Sequence, residues 1–208
     1  MDGDALMTMT AVLLGYALGS IPFGLLLTRG SGAGDIRTIG SGSIGATNVL
    51  RTGRKGLAAA TLLLDAAKGF VAVVLGERLG PGLGAVAGGM ALIGHCFPVW
   101  LGFKGGKGLA TAAGTLLAAA WPVWLAAGAV WLATALLTRI SSLAALTAAA
   151  VAPVSALLLG QPRPIQALAL FMAVLIYLRH RANIGRLLRG EEPRIGSGGK
   201  AKSPSDRR

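Results

Sequence analysis

The chain reads as all-α, a polytopic membrane bundle of about seven transmembrane helices, and three observations lead there. Hydrophobic residues fill 53% of the 208 positions and charged residues only 13%, a composition far from that of a soluble domain. Apolar runs near bilayer length recur, each bounded by Gly, Pro or charge. Basic residues collect between and after those runs, the habit of loops that stay on the cytoplasmic side.

The runs fall at about 8–27, 57–75, 83–101, 109–137, 143–159 and 165–178. The opening MDGDALMTMT carries Asp2 and Asp4 and no basic region, so the first run is expected to stay in place and not to be cleaved as a signal. The fourth run is too long. Its roughly 29 positions would reach about 43 Å against a hydrocarbon core of about 30 Å, and Trp121-Pro122 lies near its middle. Two short helices, tilted or partly re-entrant, are expected there.

Charge selects the orientation. With the N-terminus outside and the C-terminus cytoplasmic, five basic residues in 29–56, two in 104–107, Arg139 and nine after Leu178 fall inside. Only Arg78 and Arg163 fall outside, and Lys68 lies within a span. Residues 1–195 form one transmembrane domain, and 196–208 read as a disordered basic cytoplasmic tail. The net charge of +12 is then explained by orientation and anionic lipid, and no nucleic-acid partner is expected. Solitary Cys96 cannot form an intramolecular disulfide and reads as a packed core thiol.

This topology places 30–56, 103–108, 138–142 and 179–192, the polar Gly-rich segments, on one face. A cytoplasmic site between helix ends is expected. In IGSGSIGATNVLR (39–51), Gly40, Gly42 and Gly45 match G-x-G-x-x-G, but flanking transmembrane helices exclude a dinucleotide fold. Ser41, Gly42, Thr47, Asn48 and Arg51 remain, able to hold phosphate or glycerol oxygens or to form an ordinary helix-capped loop. In GHCFPVWLGFKGGKGLAT (94–111), Lys104-Gly105-Gly106-Lys107-Gly108 fails the Walker pattern because glycine follows Gly106-Lys107. It reads as an anion cradle ahead of a helix start, or as a loop with two snorkelling lysines.

In RHRANIGRLLRGEE (179–192) the arginines suit anionic headgroups. His180 and Asn183 share a helical face and could grip a hydroxyl and a phosphate oxygen. His95 reads as structural, Asp65 and Lys68 as an i, i+3 pair inside the bundle, and Ser141-Ser142 as capping residues first. Too few His, Cys and acidic residues exist for a metal cluster.

Together, SGSIGATNVLR (41–51), GHCFPVWLGFKGGKGLAT (94–111) and RHRANIGRLLRGEE (179–192), with IPFG (21–24) and DAAKG (65–69), resemble the bacterial acyl-phosphate-dependent glycerol-3-phosphate acyltransferases. The likeness runs from about Gly19 to Glu192, and one departure is Ser43, where the family usually has Asn. The resemblance implies an integral enzyme of the bacterial inner membrane that begins phospholipid synthesis. It implies acyl phosphate and glycerol 3-phosphate as substrates, a peripheral enzyme supplying the acyl phosphate, and no cofactor or metal. On this reading Lys104, Gly105, Gly106, Lys107 and Gly108 cradle an anion, and Ser41, Gly42, Thr47, Asn48 and Ser142 add contacts. Arg51, His180 and Asn183 then orient glycerol 3-phosphate, with His180, Asn183 and Lys104 as the catalytic group. The rival reading is a phosphate or organic-anion transporter.

Overall fold

Backbone groups in hydrocarbon find no water, which leaves helices and closed barrels as spanning structures. All regular structure in the computed structural model, which describes residues 2–196, is helical. The helices are α1 (Gly3–Gly19), α2 (Phe23–Gly30), α3 (Ala46–Val49), α4 (Lys55–Leu79), α5 (Leu83–Cys96), α6 (Leu109–Ala119), α7 (Trp121–Thr138), α8 (Ser141–Leu158), α9 (Arg163–Arg179) and α10 (Arg181–Leu188). The tail expected over 196–208 lies outside the described residues except for Gly196.

The first apolar run does not continue as one straight helix. Asp2 starts α1 by accepting the Ala5 N–H at 2.9 Å, and the chain breaks before Phe23 because Pro22 donates no hydrogen bond and restricts Ile21. The long fourth run does split, at Ala120, but unequally: α6 has 11 residues and α7 has 18. Only α6 is short, spanning roughly 16 Å at about 1.5 Å per residue. Pro122 sits in the first turn of α7, where a missing N–H is harmless. Among the described residues five segments, counting α1 with α2 as one, are long and apolar enough to cross a membrane, and the count reaches six where the pair α9 and α10, bent by 63°, is taken as one broken span.

Helix α5 packs against α1, α4 and α9, while α4 also packs on α6, and α8 lies between α7 and α9. Small residues let these helices approach. A Cβ at Gly15 or Gly19 would run into the backbone of Ala87 or Ala91, and one at Gly114 into that of Ala66, so the contacts are made by backbone and dispersion. The expected Asp65–Lys68 pair forms at 2.7 Å, with both side chains buried. Lys68 also donates to the Ile21 carbonyl at 2.9 Å, at the break before α2, and His95 Nδ1 lies 3.5 Å from Asp65 Oδ1. The buried pair thereby fastens α4 to the α1–α2 corner, with the His95 ring of α5 beside it.

Gly19→Leu should force α1 off α5, costing about 1–3 kcal/mol and lowering the Tm of the detergent-solubilised protein. Gly128→Leu, at a position where a Cβ would meet nothing within 4 Å, should leave that Tm near wild type.

Candidate functional site

Nine of the residues expected from sequence, Ser41, Thr47, Asn48, Arg51, Lys107, Gly108, Ser142, His180 and Asn183, line one cavity of about 460 Å³. Gly42, Lys104, Gly105 and Gly106 are not among its lining residues. Four stretches of chain meet here: the α2–α4 loop, the α5–α6 loop, the start of α8 and the α9–α10 corner. The starts of α6 and α8 point their unsatisfied N–H groups and positive dipole ends toward this region. Thr47 and Ser141 hydroxyl oxygens, 3.4 Å apart, join the first loop to α8.

The α2–α4 loop is ordered by Asn48. This buried amide donates to the carbonyls of Ile36, Ile39 and Ser43 at 2.8–2.9 Å and accepts the Ser41 N–H at 3.1 Å. Its amide N–H groups are committed to the loop, so Asn48 shapes the wall of the cavity that it lines. Gly42 has φ 67° and donates to Ile39 at 3.0 Å, which gives it a turn-forming task. Helix α3 takes Gly45 as its N-cap, two positions before Thr47 and three before Asn48, so neither caps the helix of the helix-capped loop.

The Lys/Gly loop departs most from expectation. Gly105 and Gly106 N–H groups donate to the Cys96 and His95 carbonyls at 3.1 and 3.0 Å, so neither is free to hold an anion. These glycines permit close approach, because a Cβ at either would strike His95. Lys104 is exposed and is not among the cavity's lining residues. Of the two lysines of this loop, Lys107 is the one that lines the cavity, and among the described residues no carboxylate lies within ion-pair distance of it or of Arg51. Burial pushes the Lys107 ammonium down to about 8; Glu192 pulls it up, and Arg186, Arg51 and Arg179 push it down.

At the α9–α10 corner, His180 Nδ1 lies 2.8 Å from the Ile176 carbonyl oxygen. That partner accepts, so the ring hydrogen sits on Nδ1 and Nε2 keeps its lone pair. Burial pushes the ring down to about 4, against the Ile176 hydrogen bond, so His180 is neutral at pH 7. Asn183 donates to Glu192, while its buried Oδ1 has no partner. Ser142 does not cap α8, whose N-cap is Ile140; its hydroxyl donates to Glu192 at 2.7 Å.

Several lining residues escaped the sequence reading. Glu192 collects Ser142, Asn183 and Arg186; burial would raise its pKa, but these hydrogen bonds prevail and hold it below the usual carboxylate value. Nothing local to the GEE end of its segment marked it. Lys55 opens α4 at the positive end of the helix dipole, an unfavourable placement that was a usable signal. Asp65 and His95 form part of the cavity lining. Leu62, Leu109, Ala110 and Trp131 line both this cavity and an adjoining apolar one of about 470 Å³, walled by small residues of α4, α6, α7, α8 and α9.

A helical membrane protein whose cation-lined chamber opens into an apolar slot is a lipid-handling protein, shaped for molecules with a phosphate head and a hydrocarbon tail. Comparison with known proteins carries this further. The family model described as Glycerol-3-phosphate acyltransferase matches residues 9–190. A relative from Caulobacter vibrioides, named glycerol-3-phosphate acyltransferase, is 67% identical over 189 residues, covering 89% of this chain and 87% of its own. One of the same name from Maricaulis maris is 61% identical over 202 residues, covering 97% and 93%. The crystal structure of PlsY, an integral membrane glycerol 3-phosphate acyltransferase, in its glycerol 3-phosphate form is similar with a TM-score of 0.86 at 38% identity, covering 91% of this chain and 96% of that one. The lysophosphatidic acid form gives 0.84 at 37%, covering 91% and 95%. This chain belongs to the glycerol-3-phosphate acyltransferase family and is an acyltransferase.

Lys107 is faced by Arg51, Arg179, Arg186, His180 and Glu192, and it is charged only below its lowered pKa. Binding of inorganic phosphate should therefore weaken as pH rises through about 8, by up to about tenfold per unit. Lys107→Arg should remove that alkaline loss, since a guanidinium keeps its proton; equilibrium dialysis of labelled phosphate between pH 6.5 and 9.5 measures both.

Proposed function

We propose that the protein transfers a fatty acyl group from acyl phosphate to the 1-hydroxyl of sn-glycerol 3-phosphate, giving 1-acylglycerol 3-phosphate and phosphate. The observation that carries this reading is the continuity of the polar chamber with the apolar slot. An acyl phosphate is itself a tail joined to a phosphate through the reacting carbonyl. With its chain between α4, α6 and α7, its carbonyl falls near Trp131, Leu109 and Ala110, where the two cavities meet.

The reaction forms a bond from the glycerol oxygen to the acyl carbon and breaks the bond from that carbon to the phosphate oxygen. Mixed anhydrides are already activated, so the protein's part is to position the hydroxyl and neutralise phosphate charge. Lys107 and Arg51 supply cations, and the starts of α6 and α8 supply N–H groups. Asn183 Oδ1, an acceptor without a donor, suits a glycerol hydroxyl, and so does His180 Nε2. A ring held near pKa 4 is a weak base at neutral pH, which favours a substrate phosphate oxygen as the proton's destination. His180 then orients the hydroxyl. Lys104, outside the chamber, is left as a surface cation that draws anionic substrates to the site.

In the membrane we place seven spans, with α6 as the short fourth, the N-terminus outside and the site on the cytoplasmic face of the inner membrane. Convergence of the four basic, Gly-rich stretches on one chamber supports that placement, as does the loop charge pattern. A peripheral enzyme that delivers acyl phosphate from the same side fits this arrangement. A transporter would require its polar groups near the bilayer midplane between repeats, whereas here they sit at helix ends.

Purified protein given palmitoyl phosphate and labelled glycerol 3-phosphate, without CoA or added metal, should form labelled lysophosphatidic acid; no product under these conditions overturns the reading. His180→Ala, which loses the group that orients the hydroxyl, should reduce kcat roughly 100-fold, with no change in the shape of the rate profile between pH 5.5 and 7.5. Gly128→Leu, at a slot-lining position where a Cβ would meet nothing within 4 Å, should narrow the slot and turn preference toward shorter acyl chains, read from competition between dodecanoyl and palmitoyl phosphate.

A further inference from the structure

Arg179 was grouped by sequence with the arginines that suit lipid headgroups, but the structure turns it inward. Its Nε donates to the Gly106 carbonyl at 3.1 Å and its Nη2 to the Gly105 carbonyl at 3.2 Å. The guanidinium lies over the Phe97 ring, 5.0 Å from its centroid, a contact that restrains its plane. The N–H groups of the same two glycines are taken by Cys96 and His95. Each glycine is thus held from both sides, by α5 through its N–H and by α9 through its carbonyl, immediately before Lys107.

We propose that Arg179 is a positioning residue for acyl transfer: its fork fixes the Gly105-Gly106 peptides so that Lys107 projects into the phosphate chamber, in register with the adjoining His180. A headgroup anchor would need none of this geometry. Two neighbouring carbonyls match the spacing of Nε and Nη2 on a planar guanidinium, while a lysine ammonium can approach the pair only as a point donor. Without the fork, two buried carbonyls lose their side-chain partner, and the loop gains freedom on the side that faces α9.

The inference rests on the acyltransferase reading, and its test has one arm that does not. Arg179→Gln and Arg179→Lys, in lipid nanodiscs, should raise KM for glycerol 3-phosphate at least tenfold while kcat stays within about threefold. Amide hydrogen exchange should quicken in 102–108 and stay unchanged along α5 and α9. Arg179→Lys keeps the charge and the stem, and serves if Arg179→Gln does not fold. An unaltered KM, or exchange that quickens throughout both helices, overturns the positioning role. Should the wild-type protein transfer no acyl group, the enzymatic reading fails, and the exchange arm still decides whether Arg179 holds the loop.

Discussion

A helix that ends at the margin of a bilayer leaves its last carbonyls unpaired, and the site is built from what satisfies those of α5. His95 and Cys96 carbonyls accept from Gly106 and Gly105, Phe97 accepts from the Tyr16 hydroxyl, and Pro98 accepts from Leu101 and Phe103. The chain must therefore fold back on the helix it has just left. Only residues without a Cβ fit between that helix end and the His95 ring, which is why glycine stands at 105 and 106. Lys107 and the start of α6 are delivered to the chamber as the next step of the same path.

The same constraint explains why charge is distributed as it is. Deep in the bundle Asp65 neutralises Lys68, and Lys68 completes its bonding at Ile21 beside the α1–α2 break, so a half-buried backbone carbonyl and a buried cation bond to each other. In the chamber the balance is left incomplete. Arg51 and Lys107 have no carboxylate at ion-pair distance among the described residues, while Glu192 spends itself on Ser142, Asn183 and Arg186. An unpaired cation in a half-buried site favours an anionic ligand, whose charge would offset the burial that lowers the Lys107 pKa.

Spans were legible because the bilayer imposes a length and a composition, and the family was legible because three motifs stand in order. The excess length of 109–137 announced a break, but its place depended on Pro122 acting as a first-turn residue in α7, which hydropathy does not report. Residue types also revealed which segments meet. They did not reveal which atoms are free. Asn48 looked like a ligand and spends its amide N–H groups on three carbonyls; Gly105 and Gly106 looked like an anion nest and have their N–H groups turned to α5. Such assignments depend on partners far away in sequence, and local pattern carries no information on them.

Glu192 and Lys104 illustrate the two directions of that error. Lys104 has the composition of a catalytic cation, but only Gly105 and Gly106 separate it from Lys107, and of the two lysines only Lys107 lines the chamber while Lys104 is exposed. Glu192 carries the wrong charge for a phosphate site, so charge matching alone would reject it. Its carboxylate instead fastens the start of α8 to α10, fixing Ser142 and Asn183 relative to each other and leaving Asn183 Oδ1 as an acceptor in need of a hydroxyl. In a chamber assembled from four loops and helix ends, the groups that hold substrate can be only as well placed as the groups that hold the loops.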